Sequence, residues 1–365
     1  MPVDPKQIVP LGRTDLKVAR LGFGMAPLGG LYEAVTDEAA AATLKHAWAI
    51  GIRYYDAAPL YGYGQAEQRL GRMLREHSRA EFVISTKVGR LLYSLAEVLA
   101  NPGLDRDWQR LGSVTGIGPE GVPEEELNDW YYRGVPDVRP VYDYSYDGVM
   151  RSVESSLART GLDHLDILWI HDPDTHWEQA IGGAYPALAE LRSQGVVSAI
   201  GAGMNQSEML TRFAKEGDFD AFMLAGRYTL LDQRALDDLL PVCLKKNIGI
   251  VIAGVMNSGL LANPSPESHF DYGPATEAQQ WLDKALRLKA VCERNGVNLR
   301  AAALQFVFAH PAVTCVVAGV RKIAHLDDTV EQMQVSIPDA LWDDLRAEGL
   351  LHPQAPTPSL SKEHV

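Results

Sequence analysis

Four ionisable side chains stand at or just past the ends of short apolar runs. Asp56 lies in "IRYYDAA" (52–58), Lys87 in "FVISTKVG" (82–89) and His171 in "LDILWIHD" (165–172); Tyr61 follows Asp56 by five residues in the Gly-rich "PLYGYGQ". An ionisable group on an apolar strand must find a partner or shift its pKa. Each has an ordinary structural explanation: Asp56 and Lys87 pair, Tyr61 is a loop aromatic, and His171 is a hydrogen-bonded core histidine. Brought to one face, the four would instead handle a proton. A free phenol titrates near 10 and is therefore a donor at neutral pH. A neighbouring ammonium would lower that value and make the phenolate accessible as a base, with Asp56 orienting Lys87 and His171 orienting a substrate oxygen. Such a set moves a proton to or from a carbinol or carbonyl oxygen and leaves the other half of the reaction, a hydride, to a cofactor.

The elements needed to position these groups follow from the hydrophobic period. Eight β-rich runs, at 19–24, 52–58, 82–89, 165–172, 196–203, 222–227, 249–255 and 313–320, alternate with amphipathic helical stretches. "TDEAAAATLKHAWAI" opens with a Thr cap and an acidic first turn, and Pro241 kinks or splits "DQRALDDLLPVCLKKN". Several runs are apolar on both faces. The pattern predicts an α/β fold, a closed (β/α)8 TIM barrel in a single domain over 1–365. In that fold, polar strand ends share one face. A doubly wound sheet is the rival, but neither "GFGMAPLGG" nor "GAGMNQ" fits its G-x-G-x-x-G loop. "VPLGRTDLKVARLG" reads as an N-terminal hairpin turned at Thr14-Asp15 that closes the bottom of the barrel. Residues 91–142, rich in Gly, Pro and acid, read as a long irregular loop after strand three, over the mouth. A second long interval, 256–312, carries extra helix.

Composition excludes some partners. A net charge of −13 argues against nucleic acid and anionic membranes, which need basic patches. Cys243, Cys292 and Cys315 are scattered and form no CxxC, as in a reducing, cytoplasmic setting. The first residues have no signal-peptide pattern, and no run approaches the roughly 20 apolar residues of a membrane span. A monomer is the default. "HDPDTH" (171–176) invites a metal site, but Pro173 breaks helical spacing and neither HxH nor HExxH accompanies it, so no metal is expected. Lys87 as a Schiff-base lysine would make an aldolase-type lyase, though a neighbouring carboxylate keeps such a lysine charged. A nucleotide-sensing barrel without turnover is the other rival.

"DAAPLYGYGQAEQRLGRML", "ISTKVGR" and "DILWIHDPD" resemble the aldo-keto reductase superfamily in order and spacing, and the likeness runs from "LGRTDLKVARLGFG" to "VVAGVRKIAHLDDTVEQM". "YSYDGVMRSVESSL", "IHDPD" and "IGAGMNQ" look like its D-threo-aldose 1-dehydrogenase, L-fucose dehydrogenase and pyridoxal 4-dehydrogenase branch. The resemblance implies an oxidoreductase with Asp56, Tyr61, Lys87 and His171 as its tetrad, Tyr61 as general acid/base, and NAD or NADP as cofactor. It implies oxidation of an aldose at C1 to a lactone, with pyridoxal or another aldehyde as the alternative substrate. It also implies cofactor contacts from Gly24, Met25, Asn205, Asn257, Ser258 and Gly259, and from Gly319, Arg321, His325 and Asp328 at the adenosine end. Trp130, Tyr131 and Asp172 are the implied substrate contacts. Tyr142 and Tyr144 could join them, although loop aromatics more often pack the loop down. Departures fall at the cofactor: Gly203 replaces a serine, Asn205 is displaced by one residue, and Ala225 and Gly254 replace a glutamine and an aromatic. Gly319 and His325 stand where relatives carry a basic pair, and Asp327 and Asp328 follow. That favours NAD, while Arg321 keeps NADP open.

Overall fold

The computed structural model describes residues 2–105, 132–266 and 277–358. Two short antiparallel strands, β1 (Ile8–Pro10) and β2 (Lys17–Ala19), precede the first barrel strand, β3 (Leu21–Gly24). The remaining barrel strands are β4 (Tyr54–Asp56), β5 (Val83–Val88), β8 (Ile167–His171), β9 (Ala199–Met204), β10 (Ala221–Ala225), β11 (Gly249–Ala253) and β12 (Val313–Gly319). They close in the order β3-β4-β5-β8-β9-β10-β11-β12, each parallel to its neighbours. Every predicted run therefore overlaps a barrel strand, with β9 ending one residue later and β10 starting one residue earlier than expected, and the (β/α)8 architecture holds.

Side chains alternate faces along a strand, and here the inward set carries the logic of the site. Tyr54 and Asp56, Ser85 and Lys87, and Ile167, Trp169 and His171 each sit two residues apart on three adjacent strands. Tyr54, Ile167, Trp169, Ala199, Met223, Val251 and Cys315 fill the barrel interior. Asp56, Lys87 and His171 lie in the last layer before the mouth. The outward residues, such as Tyr55, Ile84, Leu168 and Ile170, enter the larger core beneath the helices.

Below, Leu11 and Val18 of the hairpin pack into the same interior cluster. Gly12 lies so close to the starts of β10 and β11 that a Cβ there would come within 2.6 Å of the Asp220 oxygen and the Gly249 nitrogen. The hairpin thus plugs the bottom, as the sequence predicts. Thr36 caps the helix Asp37–Ala49 by accepting from the Ala39 N–H (3.2 Å). The Pro241 region is split: a short turn at Arg234–Leu236 is followed by the helix Leu239–Lys246, capped by Asp238. Proline sits there in the first turn, where its missing N–H costs nothing.

The 91–142 interval departs from expectation. It begins and ends in an antiparallel ribbon, β6 (Arg90–Ser94) with β7 (Val138–Tyr142), and a short helix, Leu95–Ala100, follows β6. Only its centre, 106–131, lies outside the described residues, and Trp130 and Tyr131 fall there. The ribbon was illegible because "RLLYS" and "VRPVY" are short and one holds a proline. Pro140 is tolerated in a two-stranded ribbon, which has an open edge. In the 256–312 interval the extra helix is Ala278–Arg294. No helix among the described residues is long and apolar enough to cross a membrane. The three cysteines are free and buried.

Candidate active site

Asp56 and Lys87 are each 2% exposed, so their pairing is obligatory. The Lys87 ammonium donates to Asp56 Oδ2 at 2.6 Å and to the Ala57 carbonyl at 2.9 Å. Ser85 donates to the other Asp56 oxygen at 2.7 Å, and the Tyr54 hydroxyl lies 3.1 Å from Ser85 Oγ. Asp56 is thus held on both oxygens. Burial lowers the Lys87 amine below its ordinary value, against the opposing pull of Asp56.

The loop after β4 returns Tyr61 over this pair. Lys87 Nζ lies 4.5 Å from the centre of the Tyr61 ring, and the His171 imidazole meets that ring edge-on at 5.7 Å. The four groups expected to converge do converge. Their electrostatics differ from the sequence reading in one respect. Burial, followed by Asp56 and Asp172, drives the Tyr61 phenol well above its ordinary value, and Arg90 opposes the rise. Burial thus outweighs the neighbouring ammonium, whose charge is answered by Asp56. His171 is pushed well below its ordinary value by burial, Arg90 and Lys87, so at neutral pH it is an uncharged imidazole. Its Nδ1 is buried without a hydrogen-bond partner among the described residues. Asp172 follows with φ +40°, its carboxylate 3.5 Å from His171 Nε2 and half-buried.

Other residues of "HDPDTH" diverge. Gln206 donates to Asp174, while His176 pairs with Asp105 at 2.7 Å and packs against Tyr142 and Tyr144. Tyr144 is fully buried; it packs the ribbon down, as loop aromatics commonly do.

The residues expected at the cofactor lie on the same rim, with unequal freedom. Gly24 and Gly319 are register partners at the ends of β3 and β12, and the buried Met25 bonds to the Asp56 carbonyl. Asn205 follows β9, and its carbonyl accepts from Arg227 at 2.7 Å. The Asn257 and Gly259 N–H groups go to the Gly254 and Met256 carbonyls, and the Asn257 amide donates to Gly226. That leaves Asn257 Oδ1 buried and unpartnered, with Ser258 and Gly259 half-buried beside it. Arg321 donates to Glu33 at 2.9 Å and to the Leu31 carbonyl at 2.5 Å, while its Nε is buried with no acceptor among the described residues. Lys322 and His325 are exposed near the start of the helix Ile323–Gln334. An orphaned guanidine donor, a lysine and a helix N-terminus form a donor set that fits an anionic nucleotide.

Two carboxylates are not where the cofactor reading needs them. Asp328 accepts from Arg300 at 2.7 and 2.9 Å, and Asp327 pairs with His46 at 2.6 Å. Both are engaged by neighbouring helices. The acid that faces Arg321 is Glu33, which carries no local sequence signal. Arg90, just past the "TKVG" strand end, was also not singled out.

Residues 20–347 match the model of the aldo/keto reductase family. The chain is 41% identical to a pyridoxal 4-dehydrogenase of Microbacterium luteolum, covering 93% of this chain and 97% of that one. It is equally, 41%, identical to a D-threo-aldose 1-dehydrogenase of a Pseudomonas species, covering 94% and 96%. Among solved structures, a holo-form aldo-keto reductase of Bacillus halodurans superposes with a TM-score of 0.68 at 22% identity, covering 98% of this chain and all of that one; this likeness speaks for the fold. With the barrel, the buried lysine–aspartate pair and these relatives in agreement, the chain belongs to the aldo/keto reductase family and is an NAD(P)-dependent oxidoreductase.

Proposed function

We propose that the protein oxidises a cyclic aldose at its anomeric carbon to a lactone, with Tyr61 as the acid/base, Lys87 and Asp56 as its support, and His171 orienting the substrate oxygen. The convergence of Tyr61, Lys87 and His171 at the barrel mouth carries this reading. The cofactor, when bound, accepts the hydride. Tyr61 takes the hydroxyl proton as the carbonyl forms, and in reverse returns it. Uncharged His171 donates one hydrogen bond to the reacting oxygen without competing for its proton. The Asp172 carboxylate beside it suits a substrate with further hydroxyl groups, as an aldose has.

NAD is the preferred cofactor in this reading. A 2′-phosphate is best held by a free guanidinium or ammonium. Glu33 already answers the charge of Arg321, and Lys322 alone replaces the basic pair of the relatives. Glu33 thereby takes the role that the sequence suggested for Asp328.

A second substrate, pyridoxal, is favoured by one observation. The chain is as similar to a pyridoxal 4-dehydrogenase, 41% identical over nearly its whole length, as to the aldose enzyme. A dehydrogenase screen of aldoses, pyridoxal and simple aldehydes with both cofactors decides between them. kcat/KM highest for an aldose is the expected result. Strong preference for pyridoxal or for hydrophobic aldehydes over every aldose would overturn the substrate class.

A further inference from the structure

Gly89 ends β5 with φ +101°, and a Cβ there would strike the Tyr144 ring at 2.1 Å. The chain can turn this sharply only with glycine. The turn brings Arg90, three residues after Lys87, back across the strand ends. Arg90 is 3% exposed. One guanidinium nitrogen donates to the His171 carbonyl at 2.8 Å, another to the Tyr142 hydroxyl at 3.3 Å, and the group stacks 4.8 Å from the Tyr142 ring centre. Tyr144 adds its own hydroxyl, donating to the same His171 carbonyl at 2.5 Å and to the Asp172 carbonyl at 2.9 Å. The strand end bearing His171, with its left-handed successor Asp172, is therefore tied down by two donors: Arg90 of the ribbon, and the Tyr144 hydroxyl just past it, whose single proton is shared between the two carbonyls.

We propose that Arg90 is a positioning residue of the active site: it fixes the His171–Asp172 strand end and sets a permanent positive charge beside Tyr61 and His171. This rests on the reading of Tyr61 as the acid/base. Tyr61 is faced by Asp56 from β4, Lys87 from β5, Arg90 from β6, and His171 and Asp172 from the end of β8. His171 is faced by Lys87, Arg90, Asp172 and Tyr61. Arg90 acts on both groups: alone among the cations it opposes the rise of the phenol, and it acts with Lys87 on the imidazole, which it helps to keep uncharged.

Two variants separate the donor from the charge. Arg90→Gln keeps an N–H for the His171 carbonyl and loses the charge, while Arg90→Lys keeps the charge and loses the fork. The measurement is kcat for oxidation between pH 6 and pH 10.5 with saturating NAD, using L-fucose, or pyridoxal if that is turned over faster. Arg90→Gln should run about tenfold below wild type along the whole rising limb of the profile, as expected for a phenol that has lost a nearby positive charge. Arg90→Lys should follow the wild-type limb. Tyr142→Phe, which loosens Arg90 without removing a charge, should shift the profile in the same direction and keeps the test open if Arg90→Gln does not fold. Equal losses in the Gln and Lys variants, or profiles that all superimpose on wild type, would overturn the proposal. Tyr61→Phe is measured alongside. If it keeps its turnover, the reading of the site falls; if it is inactive and the Arg90 profiles do not move, only the role of Arg90 falls.

Discussion

The floor of the barrel mouth and the rim proposed for the adenosine end are built on opposite plans. On the floor, Asp56 is bonded on both oxygens, Lys87 on two sides, and the His171 carbonyl by two donors. On the rim, Lys322 and His325 stand in solvent, and Arg321 has one committed edge and one unanswered Nε. Apart from His171 Nδ1, the floor is bonded before a ligand arrives, whereas the rim keeps donors to offer one. Chemistry demands a geometry that is fixed in advance, so it is placed on strands. Recognition of the adenosine end demands only net attraction, so it can rest on loops and be altered by one exposed acid.

The largest effects should come from breaking the floor. Tyr61→Phe should lower kcat at least about a hundredfold, the usual contribution of general acid–base catalysis, while nucleotide affinity, read by fluorescence quenching, stays unchanged. Near-normal turnover would remove Tyr61 from its role. Lys87→Met should be as damaging to rate and should also destabilise the fold by about 3–5 kcal/mol in a denaturant titration, because it strands Asp56 in the interior. Loss of activity without loss of stability would show that the pair is less buried in solution than described.

The acid–base direction sharpens the same contrast. Oxidation needs the phenolate, and the Tyr61 phenol lies above its ordinary value of about 10 in the free chain. The reactive fraction therefore grows as pH rises from 7 to 9, and kcat for oxidation should climb with it. Reduction needs the protonated phenol, which is present throughout that range, so its kcat should stay nearly flat. Oxidation rates that fall steadily over the interval, in folded protein, would contradict the assignment.

On the rim the effects should be smaller. Glu33→Gln releases Arg321 and should move the NADP-to-NAD ratio of kcat/KM about tenfold toward NADP, roughly 1.4 kcal/mol. Wild-type enzyme that already prefers NADP by tenfold would reverse the cofactor assignment, and Arg321→Ala should then weaken NADP selectively. Smallest of all, Asp328→Asn should cost under about 1 kcal/mol, since its pair with Arg300 is one-third exposed. It should leave cofactor preference alone; a shift in that preference would return Asp328 to the cofactor.

These two regions also differ in how far the sequence discloses them. Asp56, Lys87 and His171 were visible because each interrupts an apolar run at a strand end, where burial makes an ionisable residue conspicuous. The strands themselves were legible for the same reason. Glu33 lies in a loop, and nothing local distinguishes a glutamate facing Arg321 from one in solvent. Asp328 misled because adjacency in sequence says nothing about which helix face a carboxylate occupies; Arg300 arrives from another helix. The phenol's direction was misjudged because spacing shows that Lys87 is near Tyr61, but not how completely the fold buries the phenol. Trp130 and Tyr131 lie beyond the described residues.

The plugged floor has a consequence for proton traffic. Beneath the site a column descends from Asp56 through Ser85 to the hydroxyl of Tyr54. Tyr54 is wholly enclosed, and enclosure and Asp56 hold its phenol well above the ordinary value. Among the described residues the Tyr54 hydroxyl has no partner beyond Ser85, so the line of hydrogen bonds stops there. With Leu11 and Val18 wedged below, the column is a dead end. On the proposed reading of Tyr61, the proton it takes up leaves by the opening through which substrate enters, and a ligand seated in that opening governs both passages.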